Sequence, residues 1–192
     1  MSDSVRRIES LAFSFCKKLA YVKLSKDLDK IESSAFVNCR SLTSIFIPPS
    51  CTEIGGDAFN GCKKLIIFSV PQHTQLGETV ILHTALYYAS PFYVTPVEIN
   101  FARDISNQVN DWLKNINNDE QYALHRACCS FNPIEESISR IVQREGDLDI
   151  FKRKNSIGIT PSQYLEANPY AEVTEQKIIN HFVLEMMGEI AL

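Results

Sequence analysis

A chain of 192 residues is long enough for one large domain or two small ones. Its 45% hydrophobic and 22% charged residues are ordinary for a soluble globular protein. A net charge of −4 gives no overall basic field for nucleic acid or for an anionic membrane, so neither is expected as a partner.

The charge is unevenly placed, and this predicts two modules. Residues 1–100 carry ten Lys/Arg and nine Asp/Glu, whereas residues 101–192 carry nine and fourteen. The opening stretch, Met1 to Ile8, has no apolar core of signal-peptide length. The most apolar run, Val80 to Val94, is interrupted by His83, Thr84, Ser90 and Pro91 and is too short to span a bilayer. Six cysteines in such a chain read as reduced thiols. Together these features predict an intracellular protein, cytoplasmic or nuclear.

Residues 5 to about 94 repeat. At a spacing of 23 residues, Ile8, Ile31 and Ile54 fall in register, as do Ala12-Phe13, Ala35-Phe36 and Ala58-Phe59. Cys16, Cys39 and Cys62 form the next column, and Leu19, Leu42 and Leu65 the last. A period of this length marks a stacked solenoid, in which one repeat buries its apolar face only against a neighbour. In the middle copy Ile45 and Ile47 alternate as in a short half-buried strand, and Pro48-Pro49 then ends strand pairing. Phe59 and Cys62, three apart, are expected on one side of a short helical turn, with Lys17, Arg40 and Lys63 at its negative end. A fourth, degraded copy aligns Val80, His83 and Leu86 with Phe59, Cys62 and Leu65 and closes the stack. At the other end the chain enters in mid-repeat, so this edge is expected either to follow lost sequence or to meet something.

These residues resemble the BspA-type leucine-rich repeats, whose units look like L-x-x-I-x-I-P followed by I-x-x-x-A-F-x-x-C-x-x-L. The resemblance implies a right-handed α/β solenoid with a parallel sheet, used for protein–protein recognition rather than catalysis. A 23-residue spacing lacks the paired C-x-x-C of zinc modules, so the cysteine column is read as core packing and no metal is expected. Alternation along the strands directs Tyr21, Lys23, Ser44, Phe46, Ile67 and Ser69 outward as the candidate partner-binding residues. Tyr21, Phe46 and Ile67 would form its apolar patch, unless the helical module folds over them.

From residue 101 to 192 the period changes to 3.6, predicting an all-α module. Ile105, Val109, Trp112, Leu113 and Ile116 form one helical stripe. Asn132-Pro133-Ile134-Glu135 signals the start of the next helix, with Ile134, Ile138, Ile141 and Val142 on its apolar face and Gly146 as the stop. Thr160-Pro161-Ser162-Gln163 repeats that logic, and a last helix runs from Thr174 through Ile190, stapled by Val173 and Ile178.

Tyr122-Ala-Leu-His-Arg-Ala127 and Asn155-Ser-Ile-Gly158-Ile-Thr160-Pro161 resemble ankyrin signatures, 38 residues apart. This resemblance again implies protein binding. His125 with Cys128 and Cys129 is the group that most looks catalytic, since a helix places such residues on one face. No orienting carboxylate accompanies it, and no glycine-rich phosphate loop or other catalytic motif is present. The expected function is a non-enzymatic protein-interaction scaffold or adaptor without cofactor, metal or small-molecule substrate. The alternative is an effector or thiol-dependent enzyme fragment using the Cys128/His125 face.

Overall fold

Each repeat folds as one coil, and successive coils stack through their backbones. The computed structural model describes residues 1, 2, 4–93 and 106–190, with side chains described as far as Leu184. Val94 to Pro96, Ile105 and the side chains of Met186, Met187 and Ile190 therefore lie outside the described residues. The chain divides into two units, Met1–Asn115 and Ile116–Leu192.

In the first unit, strands β1 (Arg7–Ile8), β2 (Lys30–Ile31), β4 (Glu53–Ile54) and β6 (Gln75–Leu76) form one parallel sheet in that order. Ile8 pairs with Ile31, Ile31 with Ile54 and Ile54 with Leu76, so the isoleucine column is the register of this sheet. Strands β3 (Ser44–Phe46) and β5 (Ile67–Ser69) pair in parallel as a second sheet. The coils approach so closely at Gly55 that an added Cβ would sit 2.4 Å from the Ser33 nitrogen.

A third ladder joins the coils. The N–H of Phe13 donates to Ala35 O at 2.8 Å, that of Phe36 to Ala58 O at 2.8 Å, and that of Phe59 to Val80 O at 3.0 Å. This places the rings of Phe13, Phe36 and Phe59 in a nearly parallel stack at 5.0 and 5.2 Å. The expected helical turn is absent here. The cysteine N–H groups do bond back three residues to the phenylalanine carbonyls. Left-handed residues on either side, however, stop any helix from propagating: Leu11, Ser34, Asp57 and Thr79 before the phenylalanine column, and Phe15, Asn38, Gly61 and His83 after it.

That conformation also fixes the fourth coil. His83 occupies the left-handed position of Gly61, so the offset there is 22 residues, and Ile81 and Thr84 stand where Phe59 and Cys62 stand. Thr84, fully buried, caps the short helix α1 (Ala85–Tyr88) by accepting from the Tyr87 N–H. The sequence alignment of His83 with the cysteine column is thus one residue out of step.

Helix α2 (Ser106–Asn115) belongs to this first unit, which differs from the division expected between residues 94 and 101. Parallel stacking leaves the β6 edge with unused carbonyls, a liability that must be covered. Asn110 covers it, its Nδ2 donating to Leu76 O at 3.1 Å and Gly77 O at 3.0 Å. Ser106 Oγ accepts from the Thr79 N–H, and Gln72 donates to Lys114 O at 2.7 Å. Val109 and Leu113, on the stripe the periodicity marks, are buried.

The second unit is helical: α3 (Ala123–Cys128), α4 (Glu135–Glu145), α5 (Pro161–Ala167) and α6 (Glu175–Ile190), with 3₁₀ turns at Glu120–Tyr122 and Leu148–Lys152. Helix α3 packs on α4 and α5, and α4 on α6, so two helix pairs stack. Thr160 and Gln163 close a full capping box at the start of α5. Helix α4 starts later than Asn132-Pro133 indicates: Ile134 is its N-cap and stands 60% exposed, while Gly146, at φ 65°, ends it as expected. Hydrogen bonds link the two pairs at a constant separation of 38 residues, from Asn155 Nδ2 to Asn117 Oδ1 at 2.8 Å and from Asn168 Nδ2 to Ser130 O at 2.8 Å. Among the described residues no helix is long and apolar enough to cross a membrane.

Candidate interaction surfaces

The six outward positions read from strand alternation divide sharply. Tyr21 and Lys23 are exposed, whereas Ser69 is half-buried and Ser44, Phe46 and Ile67 are buried. Phe46 is 2% exposed, so it cannot serve as an open contact. All three residues of β3 are buried, because this strand is covered on both of its faces rather than one. Period-two alternation identifies an outer face only where one face meets water.

Large apolar side chains reach solvent at Tyr88 and Tyr93, at Ile134, Val183 and Leu184 of the helical unit, and as a group on the first coil. Leu11, Phe15 and Tyr21 are 58%, 57% and 55% exposed. Leu11 and Phe15 also adopt the left-handed conformation, at φ 63° and 58°, which costs a bulky side chain about 1–2 kcal/mol. Their counterparts in later coils are Ser34 and Asp57, then Asn38 and Gly61, residues far better suited to that backbone. The sequence carried this signal as two bulky apolar residues in columns otherwise small or polar, but only the backbone angles give it meaning.

Around the parallel sheet the charges are matched. Arg6 pairs with Asp29 at 3.5 Å, Arg7 with Glu32 at 3.1 Å and Lys30 with Glu53 at 2.8 Å. Glu32 also accepts from the N–H and hydroxyl of Ser10, and the backbone bond is the first of the influences holding its carboxyl below the usual range. These pairs tie consecutive coils together at an exposed edge, where each contributes little.

The cysteine column is structural in a more specific way than size alone implies. Cys39 Sγ donates to Phe13 O at 3.0 Å and Cys62 Sγ to Phe36 O at 3.1 Å, each reaching the preceding coil. Cys51, outside the column, is also buried, and burial pushes its thiol up to about 11.

In the second unit, His125 is 1% exposed and its Nε2 donates to Arg153 O at 2.8 Å. That bond fixes the tautomer, and burial holds the ring below its ordinary pKa, so it is neutral. Cys128 is fully buried, and burial raises its thiol well above the ordinary value. A neutral ring whose Nε2 is committed to a carbonyl, beside a thiol that resists ionising, lacks the features of an activated nucleophile. Cys129 is half-buried and accepts from Asn117 Nδ2 at 3.5 Å. Among the described residues no three His, Cys, Asp or Glu side chains gather as a metal site.

Residues 1–90 match the family model for the BspA type leucine rich repeat region, in six copies. A solved structure of a leucine rich repeat protein from T. pallidum is 35% identical, over 44% of this chain and 40% of that one, with a TM-score of 0.42. No curated protein matches. The first part of the chain is a leucine-rich repeat region with parallel strands, and a helical part follows it. Leucine-rich repeat proteins generally act in protein–protein interaction and are typically not enzymes.

Proposed function

We propose that this chain is a non-enzymatic protein-interaction scaffold whose contact surface centres on Leu11, Phe15 and Tyr21 of the first coil, with Lys23 at its margin. One observation carries the reading: two bulky apolar side chains are held in a left-handed conformation and given to solvent. Folding alone does not reward that arrangement, because the following coils use small or polar residues in the same columns. Strain combined with exposure points to a role outside the fold. The helical unit, with paired helices linked every 38 residues, is read as an ankyrin-like stack that extends the scaffold. The chain is read as working inside the cell, where its six thiols stay reduced.

The test is a triple variant, L11N/F15N/Y21S, which places at Phe15 and Tyr21 the residue types of Asn38 and Ser44 one coil later, and at Leu11 a polar residue suited to its left-handed backbone. Cross-linking and affinity capture from a cell extract should recover a specific protein with the parent chain and lose it with the variant, while the far-UV circular dichroism stays the same. Equal recovery by both proteins removes this face from consideration.

A further inference from the structure

The 23-residue register brings a second group of side chains together, on the turn that follows the cysteine column. Lys17, Arg40 and Lys63 occupy one position of successive coils, and Lys18 and Lys64 the next. The same register holds the phenylalanine rings 5.0 and 5.2 Å apart, so these cations rise one above another at the pitch of the stack. All five are exposed, and none takes part in an ion pair among the described residues. The contrast with the sheet edge is direct. There, Arg6, Arg7 and Lys30 each meet a carboxylate, and here no acidic residue stands in either column.

Like charges in register repel, and repetition adds to the cost instead of relieving it. Nothing in the coil geometry requires it: Ser41 stands in the second column, and Ala85 follows at the end of the first. A ladder of uncompensated cations is complementary to a chain of anions running along the stack. The positions lie on a leucine-rich repeat region, a protein-binding architecture, which favours an acidic polypeptide over a nucleic acid.

We propose that Lys17, Lys18, Arg40, Lys63 and Lys64 form a docking track for an extended acidic segment of a partner protein. Carboxylates spaced along that segment would meet the cations of consecutive coils, steering encounter and fixing its direction along the stack. The proposal rests on the reading of this unit as a protein-binding scaffold but uses residues other than the apolar patch.

The experiment is a fluorescence-anisotropy titration of the full chain with a labelled peptide of alternating glutamate and serine. Its controls are the matching glutamine–serine peptide and a labelled single-stranded DNA oligonucleotide. The glutamate peptide should bind, weaken about tenfold or more from low to physiological salt, and lose binding to the K17E/R40E/K63E variant. The glutamine peptide should not bind, and K26E/K154E, which reverses two exposed cations elsewhere, should behave as the parent. Equal binding by K17E/R40E/K63E, or equal loss with K26E/K154E, overturns the track. Tighter binding of the oligonucleotide than of the glutamate peptide overturns the choice of partner. The L11N/F15N/Y21S variant keeps all five cations, so this proposal and the first-coil contact fail separately.

Discussion

Cys62 and Phe36 sit in consecutive coils, and the thiol of one donates to the carbonyl of the other at 3.1 Å. Cys39 and Phe13 repeat the arrangement one coil earlier, at 3.0 Å. Each cysteine therefore fills the core and bridges two turns of the stack. Cys62→Ala removes both roles and should destabilise the first unit by about 1–2 kcal/mol. Cys16 is exposed, so Cys16→Ala should cost almost nothing. Urea unfolding of the two variants, compared at equal slope, checks the difference.

The same burial predicts thiol reactivity. Cys39, Cys51, Cys62 and Cys128 are buried, and Cys51 is pushed up to about 11. Under native conditions at neutral pH, a thiol probe should therefore label Cys16 quickly and Cys129 slowly. The other four should react only after unfolding. Rapid native labelling of Cys128, located by peptide mapping, would revive the thiol-enzyme alternative.

Much of the first unit is legible in the sequence because its five identical columns are its contacts. Ile8, Ile31 and Ile54 are the sheet register, and Phe13, Phe36 and Phe59 are the ring stack. What escaped was anything set by backbone angles or by coverage from a second side. Ser34 and Asp57 look like ordinary turn residues, and only their positive φ explains why no helix forms between them and the cysteines. Phe46 alternates as an outward residue should, yet its strand is buried on both faces. The helix carrying Val109 and Leu113 was legible as a helix, but its role was not. That depends on Asn110 and Ser106, the polar side chains on its buried face.

Asn110 closes the sheet by donating to Leu76 O and Gly77 O. Asn110→Leu keeps the apolar volume on that face and removes both donors. Leaving two carbonyls unsatisfied in a half-buried site should cost about 2–4 kcal/mol. Hydrogen exchange would show the loss first as faster exchange of the Gly77 N–H, which donates to Ile54 O in the neighbouring coil. Unchanged protection there would mean that water satisfies the edge equally well.

His125 makes the second unit sensitive to acid. Its ordinary pKa of 6.5 is lowered in the folded state, chiefly by burial. The unfolded chain therefore binds the proton first, and stability rises with pH across that window. The full contribution is present above about pH 6.5 and drains away as pH falls toward the folded value, at up to about 1.4 kcal/mol per pH unit. His125→Gln retains an Nε2 donor for Arg153 O and removes the titration. Its unfolding free energy should be flatter than the parent's between about pH 5 and pH 7. An identical slope in the two proteins would assign the acid sensitivity to another group.

Leu11 and Phe15 give the last prediction, and its sign is unusual for replacing a large apolar residue. Both side chains are more than half exposed, so little burial is lost on truncation. Both backbones lie in the left-handed region, where asparagine is favoured over leucine and phenylalanine. The second coil already carries Asn38 at the position equivalent to Phe15. Leu11→Asn and Phe15→Asn should each leave stability unchanged or raise it by up to about 1 kcal/mol, seen as an equal or higher melting temperature. A loss above about 1 kcal/mol would show that the side chains hold the first coil together. Their exposure would then need no partner to explain it, and the apolar contact surface would lose its support.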